Sequence, residues 1–231
     1  MQWKPKEQWL KEHENYIEKM RDIAESIKSI IEPYVKRCEI AGSIRRGKPI
    51  CRDIDLVVFM DIEQLDYLVE SMRNFGIEVS KPSYTKNKKI VNLVFKYNIV
   101  GHMQDYTGNM PSATVGHMQD YIGNMPSAID GQVFITFEEK YFGGLLLHRT
   151  GSKDFNVFMA IKAKKKGMKL SMYGLFDRET NRFIAGREKQ IFKKLGMFYV
   201  YPKNRNIGWL KHMGWWKSDF EYQDLKSIGV I

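Results

Sequence analysis

Cysteine is scarce in this chain. Cys38 and Cys51 are the only two in 231 residues, and their spacing matches no zinc site. That excludes a disulfide scaffold and points to free thiols in a reducing compartment. Long apolar runs are missing as well. None approaches the ~18 residues that cross a bilayer, and the opening Met1-Gln2-Trp3-Lys4-Pro5-Lys6 lacks the apolar stretch of a secretion signal. The expectation is a protein that is not secreted and has no membrane partner, cytoplasmic or associated with a viral or nucleoid particle. Acidic charge is in short supply too: 27 Asp and Glu stand against 37 Lys and Arg, a formal net charge of +10. Such an excess favours a polyanionic partner, nucleic acid first. A chain this long buries a good core and suits one or two small domains.

Along residues 7–36, Ile17, Met20, Ile23, Ile27 and Ile30 recur at helical spacing, with Pro33 near the end. This predicts one or two helices under a sheet. A short strand over about 37–41, a glycine-serine turn, a basic loop and a strand over 54–60 follow. Residues 61–75 read as a helix with Leu65, Leu68, Val69 and Met72 on one face and Gly76 as its cap. Residues 90–97 alternate as a strand does, and 132–136 form another. Gly143-Gly144 reads as a break and Gly151-Ser152 as a turn. Residues 154–167 predict a basic helix with Phe155, Phe158, Met159 and Ile161 inward, Lys162, Lys164, Lys165 and Lys166 exposed, and Gly167 as cap. A further helix is expected over 188–196. The tail carries Trp209, Trp215, Trp216, Phe220 and Tyr222 among Lys211, His212 and Lys217. Such a tail packs on a core more often than it stacks on a single strand.

Residues 100–114 and 115–129 are nearly identical copies that differ only at Thr107/Ile122 and Thr114/Ile129. Two short copies make no solenoid. Lying between two predicted strands, they read as an elongated hairpin connection produced by a recent duplication. His102 and His117 recur one period apart without matched ligands, so they are not read as a metal site.

Chemistry concentrates at Ala41-Gly42-Ser43-Ile44-Arg45-Arg46-Gly47 and Asp53-Ile54-Asp55. On a strand, Asp53 and Asp55 point to the same face. Two carboxylates that close repel unless a cation sits between them, and Mg²⁺ is the natural occupant. Gly42 lets the backbone approach closely, and exposed N–H groups with the Ser43 hydroxyl suit phosphate oxygens. Metal beside phosphate points to phosphoryl or nucleotidyl transfer.

The first block, Gly42-Ser43-Ile44-Arg45-Arg46-Gly47 with Asp53-Ile54-Asp55, resembles the signature of family X (polymerase beta-like) DNA polymerases. Three further blocks follow in the order that family shows: Arg149-Thr150-Gly151-Ser152 to Phe155-Asn156, Leu170-Ser171-Met172-Tyr173-Gly174-Leu175-Phe176, and Glu188 to Arg205. The resemblance implies an α+β fold: a nucleotidyltransferase palm with a mixed sheet flanked by helices over 1–146, with the duplicated insertion at 100–129. A small α/β C-terminal nucleotide- and DNA-binding domain over 147–205 and an aromatic basic tail over 206–231 follow. It implies that Gly42, Ser43 and Arg46 hold the triphosphate, and that Asp53, Asp55 and a third carboxylate are catalytic and bind two Mg²⁺ ions, with Mn²⁺ as a substitute. Thr150 and Gly151 then lie against the sugar, Asn156 reaches the base, and Lys162, Lys164, Lys165 and Lys166 meet the DNA backbone. Partners are primer-template or gapped DNA and deoxynucleoside triphosphates, the protein acting as a monomer in gap filling.

Several positions depart from the family pattern. For the third carboxylate Asp130 is favoured, whereas a gapless count from Tyr141-Phe142-Gly143-Gly144 lands on Gln132; Asp105 and Asp120 are fallbacks. The aromatic pair before Thr-Gly is His148-Arg149, which puts ribonucleotide discrimination in question. Ala160 stands where the family places an arginine that checks the base pair, which implies low fidelity. Nothing at the N-terminus resembles a lyase domain. Two other readings stay open: a nucleotidyltransferase acting on RNA ends or a small acceptor, and a DNA-binding relic whose metal site the duplication broke.

Overall fold

The structure, a computed structural model, describes residues 16–99 and 125–215. Helix α1 (Tyr16–Ile31) forms where Met20, Ala24, Ile27 and Ile31 recur every third or fourth residue, and these four are its buried residues. Pro33 follows at once in a single 3₁₀ turn. Next come β1 (Arg37–Ile40), the one-turn helix α2 (Gly42–Arg45), β2 (Asp53–Phe59) and α3 (Leu65–Asn74). Helix α3 buries Leu65, Leu68, Val69 and Met72, and Gly76, at φ +69°, closes its end. Short strands β3 (Glu78–Val79) and β4 (Ser83–Tyr84) lead to β5 (Ile90–Asn98) and β6 (Ala128–Thr136).

These strands form a mixed sheet in the order β1-β2-β6-β5-β3, with β4 also paired to β5. Only the β2–β6 pairing is parallel among those of the main sheet. Side-chain alternation then sorts every residue to a face. Ile54, Leu56 and Val58 of β2, Val91, Leu93 and Phe95 of β5, and Ile129, Val133 and Ile135 of β6 join α1 and α3 in one core. Gly131 sits opposite Phe95; a Cβ there would fall 2.1 Å from the Phe95 ring, so only glycine leaves the ring its place. The other face carries Asp53, Asp55 and Val57 of β2 and Asp130, Gln132 and Phe134 of β6.

That second face is covered by α4 (Glu139–Thr150). Phe142, Leu145 and Leu146 of α4 pack with Val57, Ile90 and Phe134, at the end of the sheet away from the aspartates. Helix α4 continues into a second unit made of α5 (Lys153–Lys164), β7 (Met168–Ser171), β8 (Gly174–Asp177), β9 (Phe183–Ala185), α6 (Glu188–Lys194) and α7 (Ile207–His212). Strands β7-β8-β9 form an antiparallel sheet. Phe155, Phe158, Met159, Ile191, Phe192 and Leu210 share its core, and Trp209 and Trp215 pack against it. Trp216, Lys217, Phe220 and Tyr222 lie outside the described residues. Among the described residues, no helix is long and apolar enough to cross a membrane.

Two local expectations need correction. Gly143-Gly144 is no break; both lie inside α4. A Cβ on Gly143 would fall 2.4 Å from the Gly186 carbonyl oxygen, and one on Gly144 would fall 2.4 Å from the Gly174 nitrogen. The pair is therefore a helix face on which two other segments of backbone rest. The lysine-rich helix ends at Lys164, and Lys162 and Lys164 are half-buried rather than exposed. The Lys162 ammonium lies 5.1 Å from the Trp215 ring centre and 5.8 Å from that of Phe158, and its aliphatic stem gains cover there.

Strand β6 begins earlier than the expected 132 and takes in the end of the second repeat copy. Asn98 pairs with Ala128, so the duplicated segment does connect two hairpin strands; residues 100–124, with His102, Asp105, His117 and Asp120, lie outside the described residues. The copies differ at Thr114/Ile129, and Ile129 is 1% exposed in the core. A threonine there would bury a hydroxyl among methyl groups. Ile129→Thr is expected to cost about 2 kcal/mol in urea unfolding; a loss below ~0.5 kcal/mol, the range of neutral surface changes, would show that Ile129 is not a core residue.

Candidate active site

Residue Gly42 follows β1 with φ +57°, a conformation that side chains disfavour. It also sits against Asp55: a Cβ would lie 2.2 Å from the Asp55 Oδ2. The Ala41 N–H donates to the Asp55 carbonyl at 2.7 Å. The glycine thus lets the turn run directly over the carboxylate. Ser43 Oγ is buried without a hydrogen-bond partner, with the Cys51 thiol beside it.

Asp53 and Asp55 project from one face of β2, as their spacing requires. The parallel register sets Asp130 opposite Asp53, and Gln132 opposite Asp55. Both alternatives for the third position are therefore on the aspartate face, and Gln132 accepts from Asn92 Nδ2 at 3.3 Å. Asp130 is exposed. Among the described residues, no group of three or more His, Cys, Asp or Glu comes together as a metal cage. Burial, and next the Asp53 charge, push the Asp55 carboxyl up to about 6, against the opposing charges of Arg149 and Arg46. A half-buried carboxylate beside a second one, next to an orphaned hydroxyl, is a donor set suited to a hard cation and a phosphate. The residues fit Mg²⁺.

The two neighbouring arginines face different tasks. Arg46 Nη1 donates to the carbonyl oxygens of Thr150 and Gly151, while its Nε is buried without a partner. Burial lowers the Arg46 pKa, and the Asp55 charge works against that shift. Arg45 points to the second unit. Its Nη1 donates to Thr150 Oγ1 at 2.6 Å and to Glu188 Oε1 at 3.0 Å, and its Nη2 donates to Glu188 Oε2 at 2.9 Å. Glu188 also accepts from Arg205 Nη1 at 2.7 Å and from the Tyr199 hydroxyl at 3.2 Å. Burial raises the Glu188 pKa, but the Arg45 hydrogen bonds and the Arg205 charge outweigh it and hold the carboxyl below its usual range. Arg205 itself is fully buried. This bolt between the Gly42 turn and the second unit was not foreseen. The only trace in the sequence is that Arg45, Glu188, Tyr199 and Arg205 all fall inside recognisable blocks.

Thr150 and Gly151 form the junction of α4 and α5. Ser152 caps α5, its Oγ accepting from the Phe155 N–H at 3.2 Å. Asn156 Nδ2 donates to the His148 carbonyl at 2.7 Å, and a Cβ on Gly151 would meet Asn156 Oδ1 at 2.3 Å. Beside this junction opens a cleft of about 350 Å³, lined by His148, Lys153, Asn156, Ala160 and Ser171 among others. Gly42, Ser43, Arg46, Thr150 and Gly151 are thus gathered around the aspartates. Lys162, Lys164, Lys165 and Lys166 lie ten or more residues beyond the Ser152 cap, about 15 Å or more along the helix axis.

A family profile described as DNA polymerase beta thumb matches residues 145–206. The chain is 42% identical to DNA polymerase IV of Saccharomyces cerevisiae over 65 residues, 28% of this chain and 11% of that protein. It is 26% identical to DNA polymerase lambda of Rattus norvegicus over 222 residues, 85% of this chain and 35% of that protein. It is 23% identical over 178 residues to the repair DNA polymerase X of an African swine fever virus isolate, 76% of this chain and 85% of that protein. The chain therefore spans only a minor part of the length of the yeast and rat relatives.

Two measurements test the electrostatics. Between about pH 4, the usual aspartate value, and about 6, folded Asp55 holds a proton that the unfolded chain has lost. Its contribution to stability is thus full at low pH and lost as pH rises through 6. Asp55→Asn should melt higher than the parent at pH 7.5 and show little difference at pH 4; equal melting at both would refute the shift. Glu188→Ala leaves Arg205 buried without its carboxylate and should cost about 3–5 kcal/mol in urea unfolding, whereas a loss under ~1 kcal/mol would mean the bolt is slack.

The thumb match, an alignment with the rat polymerase long enough to take in the Gly-Ser and Asp-x-Asp segments, and the mixed sheet beneath them agree in likening this chain to the family X DNA polymerases.

Proposed function

We propose that this protein is a DNA-directed DNA polymerase that adds deoxynucleotides to a primer 3′-hydroxyl, filling gaps in DNA repair with low fidelity and acting as a monomer. The observation that carries this reading is the pair of same-face carboxylates, Asp53 and Asp55, under a glycine turn that holds the unpartnered Ser43 hydroxyl. The viral relative's printed name, a repair DNA polymerase, supports the repair part.

Gly42 and Ser43 bind the triphosphate through the turn's backbone N–H groups and the free Ser43 hydroxyl. Arg46, half-buried and charged, faces the same space and offsets negative charge that grows on the departing pyrophosphate. Asp53 and Asp55, with Asp130 as the third carboxylate, would hold the two Mg²⁺ ions, Mn²⁺ being able to replace them. When bound, the ions supply positive charge that eases ionisation of the primer hydroxyl and steadies the leaving group. Thr150 and Gly151 shape the floor under the sugar, and Asn156, fixed by its bond to the His148 carbonyl, faces the base. Lys162, Lys164, Lys165 and Lys166 meet the duplex backbone, each true phosphate contact steepening the salt dependence of binding.

One observation favours the relic reading. Gln132, not an acid, stands opposite Asp55, and a neutral amide supplies no charge to a cation. Primer extension on gapped DNA with Mg²⁺ separates the readings. Templated products support the polymerase. Untemplated tails or labelled RNA support another nucleotidyltransferase, and DNA binding without products supports the relic. Asp53→Ala should abolish extension while leaving the fold intact, and extension that survives it would contradict the assignment. Asp130→Asn should slow extension by several orders of magnitude (on the scale of losing a metal ligand); a mild effect removes Asp130 from the third position.

A further inference from the structure

Arg149, at the end of α4, is an arginine whose charge the proposed reaction does not use. Its guanidinium carbon lies 3.6 Å from the centre of the Phe134 ring. Phe134 pairs in register with Val57, two residues beyond Asp55, and strand alternation puts Asp55, Val57 and Phe134 on one sheet face. Stacking on that ring therefore lays the guanidinium against the face from which Asp55 projects. A planar, weakly hydrated cation is well held by an aromatic face without an acceptor.

The other cations nearby are committed. Arg45 and Arg205 bind Glu188, and Arg46 donates to the carbonyls of Thr150 and Gly151. Arg149 differs. Its Nε is buried without a hydrogen-bond partner, and neither it nor Asp55 joins an ion pair among the described residues.

We infer that Arg149 is the resident counter-charge of the Asp53–Asp55 pair, placed on Phe134 so that it lessens the carboxylates' repulsion before a divalent cation arrives and weakens that cation's hold once it is bound. This rests on the reading of Asp53 and Asp55 as metal carboxylates. Arg149 is a positioning residue here, acting through Asp55. A fixed positive charge near an occupied site lowers divalent affinity by direct repulsion, and the effect is largest at low salt.

The test is Mn²⁺ titration of the full chain without DNA or nucleotide, followed by the electron paramagnetic resonance signal of free Mn²⁺. Arg149→Met should bind on the order of tenfold more tightly than the parent at low salt, and Arg149→Lys, which keeps the charge, should stay close to the parent. Arg149→Gln replaces Arg149→Met if the latter does not fold. A packing role alone would weaken binding in the Met and Lys variants alike, and that result overturns the inference, as does equal affinity in Met variant and parent. If the parent binds and the Met variant binds no tighter, only this inference falls. If neither binds Mn²⁺, the metal-site reading falls with it.

Discussion

Two like charges held on one strand face constrain everything around them. Asp53 and Asp55 are set there by the two-residue period of β2, and burial lifts the Asp55 carboxyl to about 6. Such a pair persists only where the surroundings leave room for positive charge. The surroundings do so. Helix α4 packs its apolar side chains on the far end of the same face, and Gly42 brings a turn over Asp55 without a side chain in the way. The opposite face of the sheet, filled by Ile54, Leu56, Val133 and their neighbours, provides the burial that holds the strands in register.

The turn above the carboxylates is tied to the second unit. Consecutive residues Arg45 and Arg46 both reach it, one through Glu188 and Thr150, the other through the Thr150 and Gly151 carbonyls. Glu188 collects donors from Arg45, Arg205 and Tyr199, so a single carboxylate couples the Gly42 turn to α6 and to the segment after it. Any motion between the units must either break these charged bonds or carry the turn with it. That coupling gives the arrangement a way to adjust the turn from a distance, at a cost set by desolvated charges.

Much of the sheet was legible because strand alternation is a local property. The same-face placement of Asp53 and Asp55 needed nothing but their spacing. Residues Val91, Leu93 and Phe95 were separated from their polar neighbours by the same rule, and the α3 face followed from helical spacing. What stood opposite Asp53 was not legible, since the β2–β6 register joins strands separated by the repeat. The Gly143-Gly144 pair looked like a stop because local propensity carries no information about Gly186 and Gly174, whose backbones lie against that helix. The Glu188 bolt was hidden for a similar reason: its partner Arg45 is 143 residues away in sequence, and charge alone does not choose partners. Arg149 was visible only as a departure from an aromatic pair. Its position over Phe134 depends on how α4 crosses the sheet.

The decisive property of the aspartate pair is whether it seats metal next to a triphosphate. Anomalous diffraction from crystals grown with Mn²⁺ and a non-hydrolysable deoxynucleoside triphosphate measures this directly. The expected result is manganese density at Asp53 and Asp55 with the triphosphate oxygens on the turn from Gly42 to Gly47. Density for neither, or manganese bound elsewhere with the turn empty, would contradict it.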